Sequence, residues 1–242
     1  MSFDEGWLQK KKILVVLAHP DDPDFFCGAM IARWCEKGHE VSYCLLTKGQ
    51  RGSQNSKNDP LELGILRQKE QTKAAKILGV SSIHFLNHMD GELVPNLGLR
   101  NEIIAEIRKL KPDIVVSCDP TNLFPSENRI NHPDHRAAGQ AVLDAVFPAA
   151  GNPAYPLMTE DGMLEAHAVE EVWLSLTQQP NTKVELSDFL EPKISAILAH
   201  SSQTNMSRES LREKYRAGFE INPETNLPVY VEKFLRIRLN PK

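Results

Sequence analysis

The sequence predicts an α/β fold in which a mostly parallel central sheet lies between layers of helices. The apolar run at residues 13–17 lacks alternation, which suits a parallel strand covered on both faces. Similar runs recur along the chain, and segments with helical spacing separate them. The length of 242 residues fits one domain, residues 1–242, with a C-terminal elaboration over about residues 159–242.

Each element follows from a local pattern. Runs rich in β-branched and apolar residues predict strands at residues 13–17, 41–46, 83–86, 113–118, 170–177, 183–186 and 229–237. Asp22 is expected to cap the first helix, Pro23 to occupy its first turn and Gly38 to end it. Apolar residues at helical spacing predict further helices at residues 61–78, 99–110, 133–147, 189–200 and 207–217.

The first four strands alternate with helices, which indicates a Rossmann-like three-layer sandwich with helices on both faces of the sheet. Residues 148–158, with three prolines and a glycine, are predicted to be irregular.

Composition argues against nucleic acid and membrane partners. The formal charge is -4, and no basic patch stands out except Lys10 to Lys12, which we interpret as a solvated segment before the first strand. The apolar segment after these lysines is shorter than the roughly 7–15 residues of a signal peptide core. No run approaches the roughly 20 apolar residues that cross a bilayer. We therefore expect a cytoplasmic protein.

The four cysteines form no C-x-x-C pair, so we expect reduced residues of the core. Cys118, at the end of a predicted strand, has the alternative role of a metal ligand.

Two short motifs carry the chemistry. A-H-P-D-D occupies residues 18–22, and H-P-D-H occupies residues 132–135; each lies where a predicted strand or loop gives way to a helix. In an open parallel sheet, ligands bind beyond the carboxyl ends of the strands, so both motifs are expected at one pocket. Together they offer three histidines and three aspartates, which suit Zn²⁺ and leave a carboxylate to act on water. The motifs predict a metal-dependent hydrolase.

The spacing within each motif supports a shared pocket. Asp21 and Asp22 are adjacent and point in different directions, so one can bind the metal while the other faces the water. His132 and His135 are three residues apart and lie on one face of the first helical turn. The partial positive charge of a helix N-terminus favours neutral imidazole, which is the form that binds metals.

Two further features have open interpretations. The glycine-rich loop at residues 47–53 follows a strand end, where it can either bind an anion or sugar or serve as a flexible turn. Arg67 and Glu70 are one helical turn apart and can form an ordinary surface pair.

With these motifs the chain resembles the LmbE-like, or PIG-L-like, zinc-dependent N-acetylglucosamine deacetylases over most of its length. That family shares A-H-P-D-D after the first strand and H-P-D-H at a later helix start. Other matching pieces, in order, are T-x-G-x-x-G at 47–52, Arg67 with Glu70, Ala74-Ala75, Leu78-Gly79, Asp90-Gly91, Lys111-Pro112-Asp113, Lys193, and His200 with Ser202-Gln203.

The resemblance implies a role for each site residue. The zinc ligands would be His19, Asp22 and His135. Asp21 would be the general base, His132 would stabilise the oxyanion or protonate the leaving amine, and Asp134 would orient His132. Arg67 would bind the substrate, a small N-acyl amino-sugar compound, and the protein would form a homo-oligomer.

The chain departs from the family at two positions. Pro23 and then Asp24 stand where the family usually has a glutamate directly after the paired aspartates. Ile130 stands where some members have a tyrosine that donates to the oxyanion.

Two alternatives remain open. A metal-dependent hydrolase of another amide or of a phosphoester would use the same site, and a two-metal phosphoesterase would need further bridging carboxylates, for which Asp90 and Asp119 are the candidates. A non-catalytic sugar- or nucleotide-binding module would use the loop at 47–53, although the chain has no G-x-G-x-x-G or P-loop lysine in a suitable context.

Overall fold

The structure is a computed structural model that describes residues 5–53, 59–160 and 162–239. Its strands are β1 (Lys12–Leu17), β2 (Glu40–Thr47), β3 (Ser82–His88), β4 (Ile114–Cys118), β5 (Met158–Thr159), β6 (Gly162–Met163), β7 (Glu171–Ser175), β8 (Thr182–Glu185), β9 (Glu220–Ile221), β10 (Pro228–Val229) and β11 (Val231–Arg238). Its helices are α1 (Asp22–Glu36), α2 (Pro60–Leu78), α3 (Leu97–Leu110), α4 (Pro133–Asp144), α5 (Leu190–Ile197) and α6 (Arg208–Arg216). Every predicted strand and helix is present.

The order of the strands confirms the predicted α/β sandwich. Seven of the described strands form one sheet in the order β3-β2-β1-β4-β7-β11-β8. The strands from β3 to β7 run parallel, whereas β11 is antiparallel to both β7 and β8. Parallel neighbours cannot be joined by a tight hairpin, which is why helices alternate with strands in the first half of the chain.

The β1 strand is buried between two layers of helices. Ile13, Val15 and Leu17 pack in the apolar cluster formed with α1, α2 and α5. Leu14 and Val16 pack in a second cluster with α3 and α4. Because both faces of β1 are covered, the strand carries an unbroken apolar run instead of an alternating one. Burial of each such side chain contributes about 1.5–3 kcal/mol.

The four cysteines are free thiols, as predicted, and most of them lie in the core. Cys27, Cys44 and Cys118 are buried, and Cys35 is partly exposed. Burial raises the pKa of the Cys118 thiol well above its usual value. The thiolate is the form that binds metals, so this environment disfavours the alternative role of Cys118 as a ligand.

The position of β1 in the sheet explains where the two motifs meet. From β1 the chain moves outward through β2 to β3 on one side, and then returns to place β4 on the other side of β1. The loops that leave β1 and β4 therefore diverge and open a crevice at the carboxyl ends of these strands. The first motif follows β1 directly, and the second ends the loop that follows β4.

A buried ion pair ties the C-terminal strands to the first half of the chain. Lys193 of α5 donates to Glu232 of β11 at 2.7 Å, and both side chains are almost fully buried. The Glu232 carboxylate also accepts from the backbone N–H groups of Ala29 and Met30. These amides are available because α1 has a kink at Cys27, where φ is -147°. The charge of Lys193 therefore offsets the charge of Glu232, and the backbone amides satisfy the carboxylate oxygens of this buried pair.

Differences from the prediction fall in short or proline-containing segments. The helix expected to reach residue 147 ends at Asp144 and continues as a π-helical turn, Ala145–Ala150. Pro148 lies in this turn, and proline lacks the N–H that an α-helix requires. The small hairpins β5-β6 and β9-β10 were not predicted, because two-residue strands are too short to show a pattern. No helix of the described residues has the length and apolar character needed to span a membrane.

Candidate active site

The first motif forms a tight turn between β1 and α1. Asp21 takes the N-cap position, with a φ of +89° and no capping hydrogen bond from its side chain. Asp22 is the first residue of the helix, and its Oδ2 accepts from the backbone N–H of His19 at 2.8 Å. The expectation that Asp22 caps the helix is therefore wrong. Its carboxylate turns back toward the loop, where it faces the histidines.

Asp22 lies between two imidazole rings that come from distant parts of the chain. Its Oδ2 is 3.3 Å from His19 Nδ1, and its Oδ1 is 3.2 Å from His135 Nε2. The ring centroids of His19 and His135 are 5.3 Å apart. The structure therefore brings the three predicted ligands into one cluster.

A second contact fixes the orientation of each ring. His135 Nδ1 is 3.1 Å from Asn131 Oδ1, which leaves Nε2 directed at Asp22. His19 Nε2 is 3.1 Å from Asp90 Oδ1 and 3.2 Å from Asp134 Oδ2, which leaves Nδ1 directed at Asp22. Such outer contacts fix the tautomer and direction of metal-binding histidines. Sequence reasoning missed Asn131, and it considered Asp90 only as a ligand for a second metal.

The Asp134 carboxylate supports His19 instead of His132. Besides His19 Nε2, it accepts from the backbone N–H groups of Gly91 and Leu93 at 2.7 Å and 3.2 Å. The hydrogen bond between Asp134 and His132 involves the backbone, because the N–H of Asp134 donates to His132 Nδ1 at 3.2 Å. Asp134 was expected to orient His132, and its backbone amide provides that contact.

This backbone bond also determines the chemistry of His132. Since Nδ1 accepts a hydrogen bond, the neutral ring carries its proton on Nε2. Burial lowers the pKa of His132, and the nearby rings of His19 and His135 lower it further. His132 is therefore a neutral donor beside the cluster, with its ring centroid 4.7 Å from that of His19.

The donor set fits a divalent metal ion. Nitrogen atoms of His19, His132 and His135 lie within 4.8 Å of one another, and so do ligand atoms of His19, Asp90 and Asp134. Burial would raise the pKa of Asp22, but the charges and hydrogen bonds of His135 and His19 hold it well below its usual value. Imidazole nitrogens and a carboxylate oxygen are ligands that a divalent cation accepts. The described residues thus contain a possible His/Asp metal-binding group.

The Asp21 carboxylate forms an ion pair with Arg67. Its Oδ2 is 3.2 Å from Arg67 Nη2. Burial raises the pKa of Asp21 to about 6, although the charge of Arg67 acts in the opposite direction. A carboxylate with a pKa near neutrality is suited to accept and release a proton.

Arg67 is enclosed by the protein. Its side chain is 4% exposed, Nη1 donates to the carbonyl of Gly49 at 2.9 Å, and Nη2 donates to the carbonyl of Pro20 at 2.6 Å. A β-carbon at Gly49 or at Gly52 would overlap the guanidinium. The glycine-rich loop is therefore neither a free turn nor an open anion site in this structure. It wraps around Arg67.

The interpretation of Arg67 and Glu70 as a surface pair is wrong. Both residues are buried, and they face different partners. Glu70 accepts from the hydroxyl groups of Ser201 and Ser202 at 2.9 Å and 2.6 Å and from the backbone N–H of Ser202 at 2.8 Å. This side of α2 therefore connects the loop around Asp21 with the segment after α5.

Known proteins share this fold and much of this sequence. The diacetylchitobiose deacetylase of Thermococcus kodakarensis is 37% identical over 200 residues, which cover 83% of this chain and 73% of the relative. A probable N-acetyl-alpha-D-glucosaminyl L-malate deacetylase 2 of Bacillus anthracis is 27% identical over 216 residues, covering 86% of this chain and 88% of the relative. The structure of the N,N'-diacetylchitobiose deacetylase of Pyrococcus horikoshii, in complex with an inhibitor, matches with a TM-score of 0.80 and 29% identity over 94% of this chain and 84% of that chain.

A family comparison covers the part of the chain that contains both motifs. The model of the PIG-L family, described as GlcNAc-PI de-N-acetylase, matches residues 14–146. This range is more than half of the chain, and it runs from β1 through α4. The resemblance predicted from the two motifs is confirmed, and the protein belongs to the PIG-L family.

Proposed function

We propose that this protein is a zinc-dependent N-deacetylase that removes the acetyl group from an N-acetylglucosamine-containing small molecule. The observation that carries the proposal is the cluster of His19, Asp22 and His135 with Asp21 beside it. The two curated relatives and the solved neighbour described above are named as deacetylases, which supports the same reaction. The products would be acetate and a free amine.

We propose that His19, Asp22 and His135 hold the ion. The directions of His19 Nδ1 and His135 Nε2 toward the two oxygens of Asp22 support this ligand set. Three protein ligands are the usual number in a catalytic zinc site, since a fourth position is kept for water or substrate. When bound, zinc supplies a Lewis acid for the acetamide carbonyl and lowers the pKa of water to about 7.

The remaining residues of the site would transfer protons and stabilise the charge that develops during the reaction. Asp21 takes the proton from the attacking water, for which its pKa near neutrality is suited. His132 donates a hydrogen bond from Nε2 to the oxyanion that develops on the carbonyl oxygen. As the C–N bond breaks, the leaving nitrogen takes the proton that Asp21 accepted from the water. The new C–O bond completes acetate, and the nitrogen leaves with the proton it received.

We assign Arg67 to the support of Asp21. The resemblance implied that Arg67 binds substrate, but its guanidinium is buried and is held by Gly49, Pro20 and Asp21. The positive charge of Arg67 opposes protonation of Asp21. Its hydrogen bonds to the carbonyl groups of Gly49 and Pro20 hold the guanidinium in place beside that carboxylate.

Replacement of Gly52 by alanine tests this assignment. The new β-carbon would overlap Arg67, so the guanidinium must shift from its place beside Asp21. We expect kcat to fall by about 10- to 100-fold, because a displacement of about 1 Å can cost 100-fold in rate. Zinc content should not change. Gly218→Ala is the control, since its β-carbon would have ordinary contacts only. A Gly52→Ala enzyme with native kcat would contradict the role of Arg67.

Two observations weigh against a two-metal phosphoesterase and against a non-catalytic sugar- or nucleotide-binding module. The Asp119 carboxylate accepts from Thr121 and Thr177, so it is engaged within its own loop and does not bridge a second metal. The loop at 47–53 encloses Arg67, which leaves less of its backbone for a sugar or nucleotide. The first observation argues against Asp119 as a bridging carboxylate, and the second argues against a binding module.

Acetate release tests the proposal directly. Purified protein would be incubated with N,N'-diacetylchitobiose, N-acetylglucosamine and N-acetylglucosaminyl malate, and acetate and free amine would be measured together. We expect equal amounts of both products from at least one compound, loss of activity with a chelator, and recovery with zinc. Activity that survives complete removal of metal would contradict a metal-dependent reaction, and a ratio of two metal ions per chain would favour a two-metal hydrolase.

Three further points belong to this proposal. We propose one domain over residues 1–242, which is supported by the contribution of β7, β8 and β11 to the same sheet as β1 to β4. The homo-oligomer and the cytoplasmic location follow from the resemblance and from the composition. Light scattering after gel filtration and fractionation of cells would test them.

A further inference from the structure

A buried polar network contacts the backbone of Asp21. The backbone N–H of Asp21 donates to Gln71 Oε1 at 2.7 Å. Gln71 lies on α2 one turn after Arg67, and its side chain is fully buried. The two residues therefore approach Asp21 from the same helix, Arg67 at the carboxylate and Gln71 at the backbone.

The orientation of the Gln71 amide is set from its other end. Gln71 Nε2 donates to Asp24 Oδ2 at 2.9 Å, and His200 Nε2 lies 2.8 Å from the same oxygen. A carboxylate oxygen only accepts, and a backbone N–H only donates. The amide must therefore place its nitrogen at Asp24 and its oxygen at Asp21. Asp24 and His200 have no exposed surface, so water does not compete for these bonds.

The backbone that this network reaches is strained. Asp21 has a φ of +89°, a region in which residues other than glycine are uncommon. Such a conformation persists only where the surroundings hold it, and it is often found at functional sites. The hydrogen bond from Gln71 is a specific restraint on the peptide whose rotation would swing the Asp21 carboxylate.

We propose that Gln71 is a positioning residue for Asp21, oriented for that task by the buried Asp24 and His200 pair. This rests on the proposed role of Asp21 as general base. Gln71 does not touch the substrate in this scheme. It holds the strained peptide so that the carboxylate keeps its direction toward the reacting water.

The same network gives a role to the segment after α5. His200 is followed by Ser201 and Ser202, whose hydroxyl groups bind Glu70, the residue next to Gln71. This segment is thus bonded directly to Glu70 of α2, and through Asp24 of α1 it is linked to the adjacent Gln71. The C-terminal part of the chain therefore takes part in setting the geometry of a loop that lies in the first motif.

Replacement of Gln71 by methionine is the principal test. Methionine has a similar length and can make neither hydrogen bond, so the Asp21 peptide loses its restraint. We expect kcat for diacetylchitobiose to fall by about 10- to 100-fold, with KM and zinc content close to native values. Gln68→Met, one turn earlier on the same helix, is the matched control and should leave kcat unchanged.

A conservative variant separates hydrogen bonding from packing. In Gln71→Glu, the new carboxyl would share a proton with Asp24, since two adjacent buried carboxylates do not both ionise. It can then donate to Asp24 and accept from the Asp21 N–H, as the native amide does. We expect kcat within about threefold of native. If the methionine and glutamate variants lose equal activity, the proposal is overturned, because packing alone would explain the loss.

Hydrogen exchange provides a readout that does not depend on activity. The Asp21 amide should exchange faster in Gln71→Met than in the native protein or in Gln68→Met, because its acceptor is gone. Unchanged exchange together with native kcat would overturn the proposal. If the native protein releases no acetate from any compound, the proposed function fails, but faster exchange at Asp21 would still establish the restraint. Asp24→Leu provides a second route should Gln71→Met not fold, with the same expected loss of kcat and gain in exchange, because leucine has a similar size and cannot accept from Gln71.

Discussion

The Asp21→Asn enzyme is expected to keep the proposed zinc ion and to lose turnover by about 1,000-fold, within the range of about 100- to 10,000-fold that general base catalysis contributes. Asparagine has nearly the same shape as aspartate but cannot accept a proton from water at neutral pH. The contacts between Asp22 and the rings of His19 and His135 do not involve Asp21, so we expect the proposed ligand set to be unaltered. Steady-state kinetics and metal analysis of the same preparation would measure both quantities.

The control for this variant is Asp188→Asn, which removes a carboxylate at an exposed position in a short helical turn. It should leave kcat and zinc content at native values. A second control concerns stability, because Arg67 loses a charged partner in Asp21→Asn. Arg67 keeps its bonds to Gly49 and Pro20, so we expect a modest fall in the thermal midpoint. An Asp21→Asn enzyme that deacetylates at the native rate would refute the assignment of the base.

The main features of the fold could be predicted because they depend on strong local patterns. The unbroken apolar run of β1 indicates burial on both faces, and the two apolar clusters account for it. The meeting of the two motifs follows from a rule about parallel sheets, in which strand ends beside a reversal of strand order form the binding crevice. Neither inference requires knowledge of individual side-chain contacts.

The α2 helix shows where pattern reasoning fails. Leu61, Ile65 and Leu66 are 71%, 53% and 45% exposed, whereas Arg67 and Gln71 are buried. Apolar periodicity assigns the buried face of a helix by assuming an apolar core. Here the inner face of α2 meets a polar loop and the network that contacts the Asp21 backbone, so polar residues are buried. The surface interpretation of Arg67 and Glu70 was a consequence of that assumption.

The outer contacts of the histidines could not be predicted for a different reason. Asn131 precedes the second motif directly, and Asp90 follows β3, so both positions were visible in the sequence. Which ring nitrogen each oxygen meets depends on the rotation of the imidazoles in the folded protein. The same holds for Asp134, whose carboxylate reaches His19 across the crevice while its backbone meets His132.

The second large effect is expected from His135→Ala. Structural zinc sites with four protein ligands bind with about 10–16 kcal/mol, so one ligand is worth roughly 3 kcal/mol, or on the order of 100-fold in affinity. His135 is oriented by Asn131 and faces Asp22, so its loss removes one of the proposed ligands. We expect zinc affinity to fall by about 100-fold. Competition with a chromogenic chelator would measure it.

Comparison with His132→Ala distinguishes the loss of a metal ligand from the loss of a residue that acts on the substrate. The proposed role of His132 is to donate a hydrogen bond to the oxyanion, so its removal should lower kcat by about 100-fold or more while zinc affinity stays near native. His135→Ala should show the reverse, with activity lost at stoichiometric zinc and partly recovered in excess zinc. His84→Ala, at a half-exposed position paired with Glu106, should change neither quantity. If His132→Ala loses zinc and His135→Ala retains it, the two histidines have been assigned the wrong roles, and the ion lies nearer to His19 and His132.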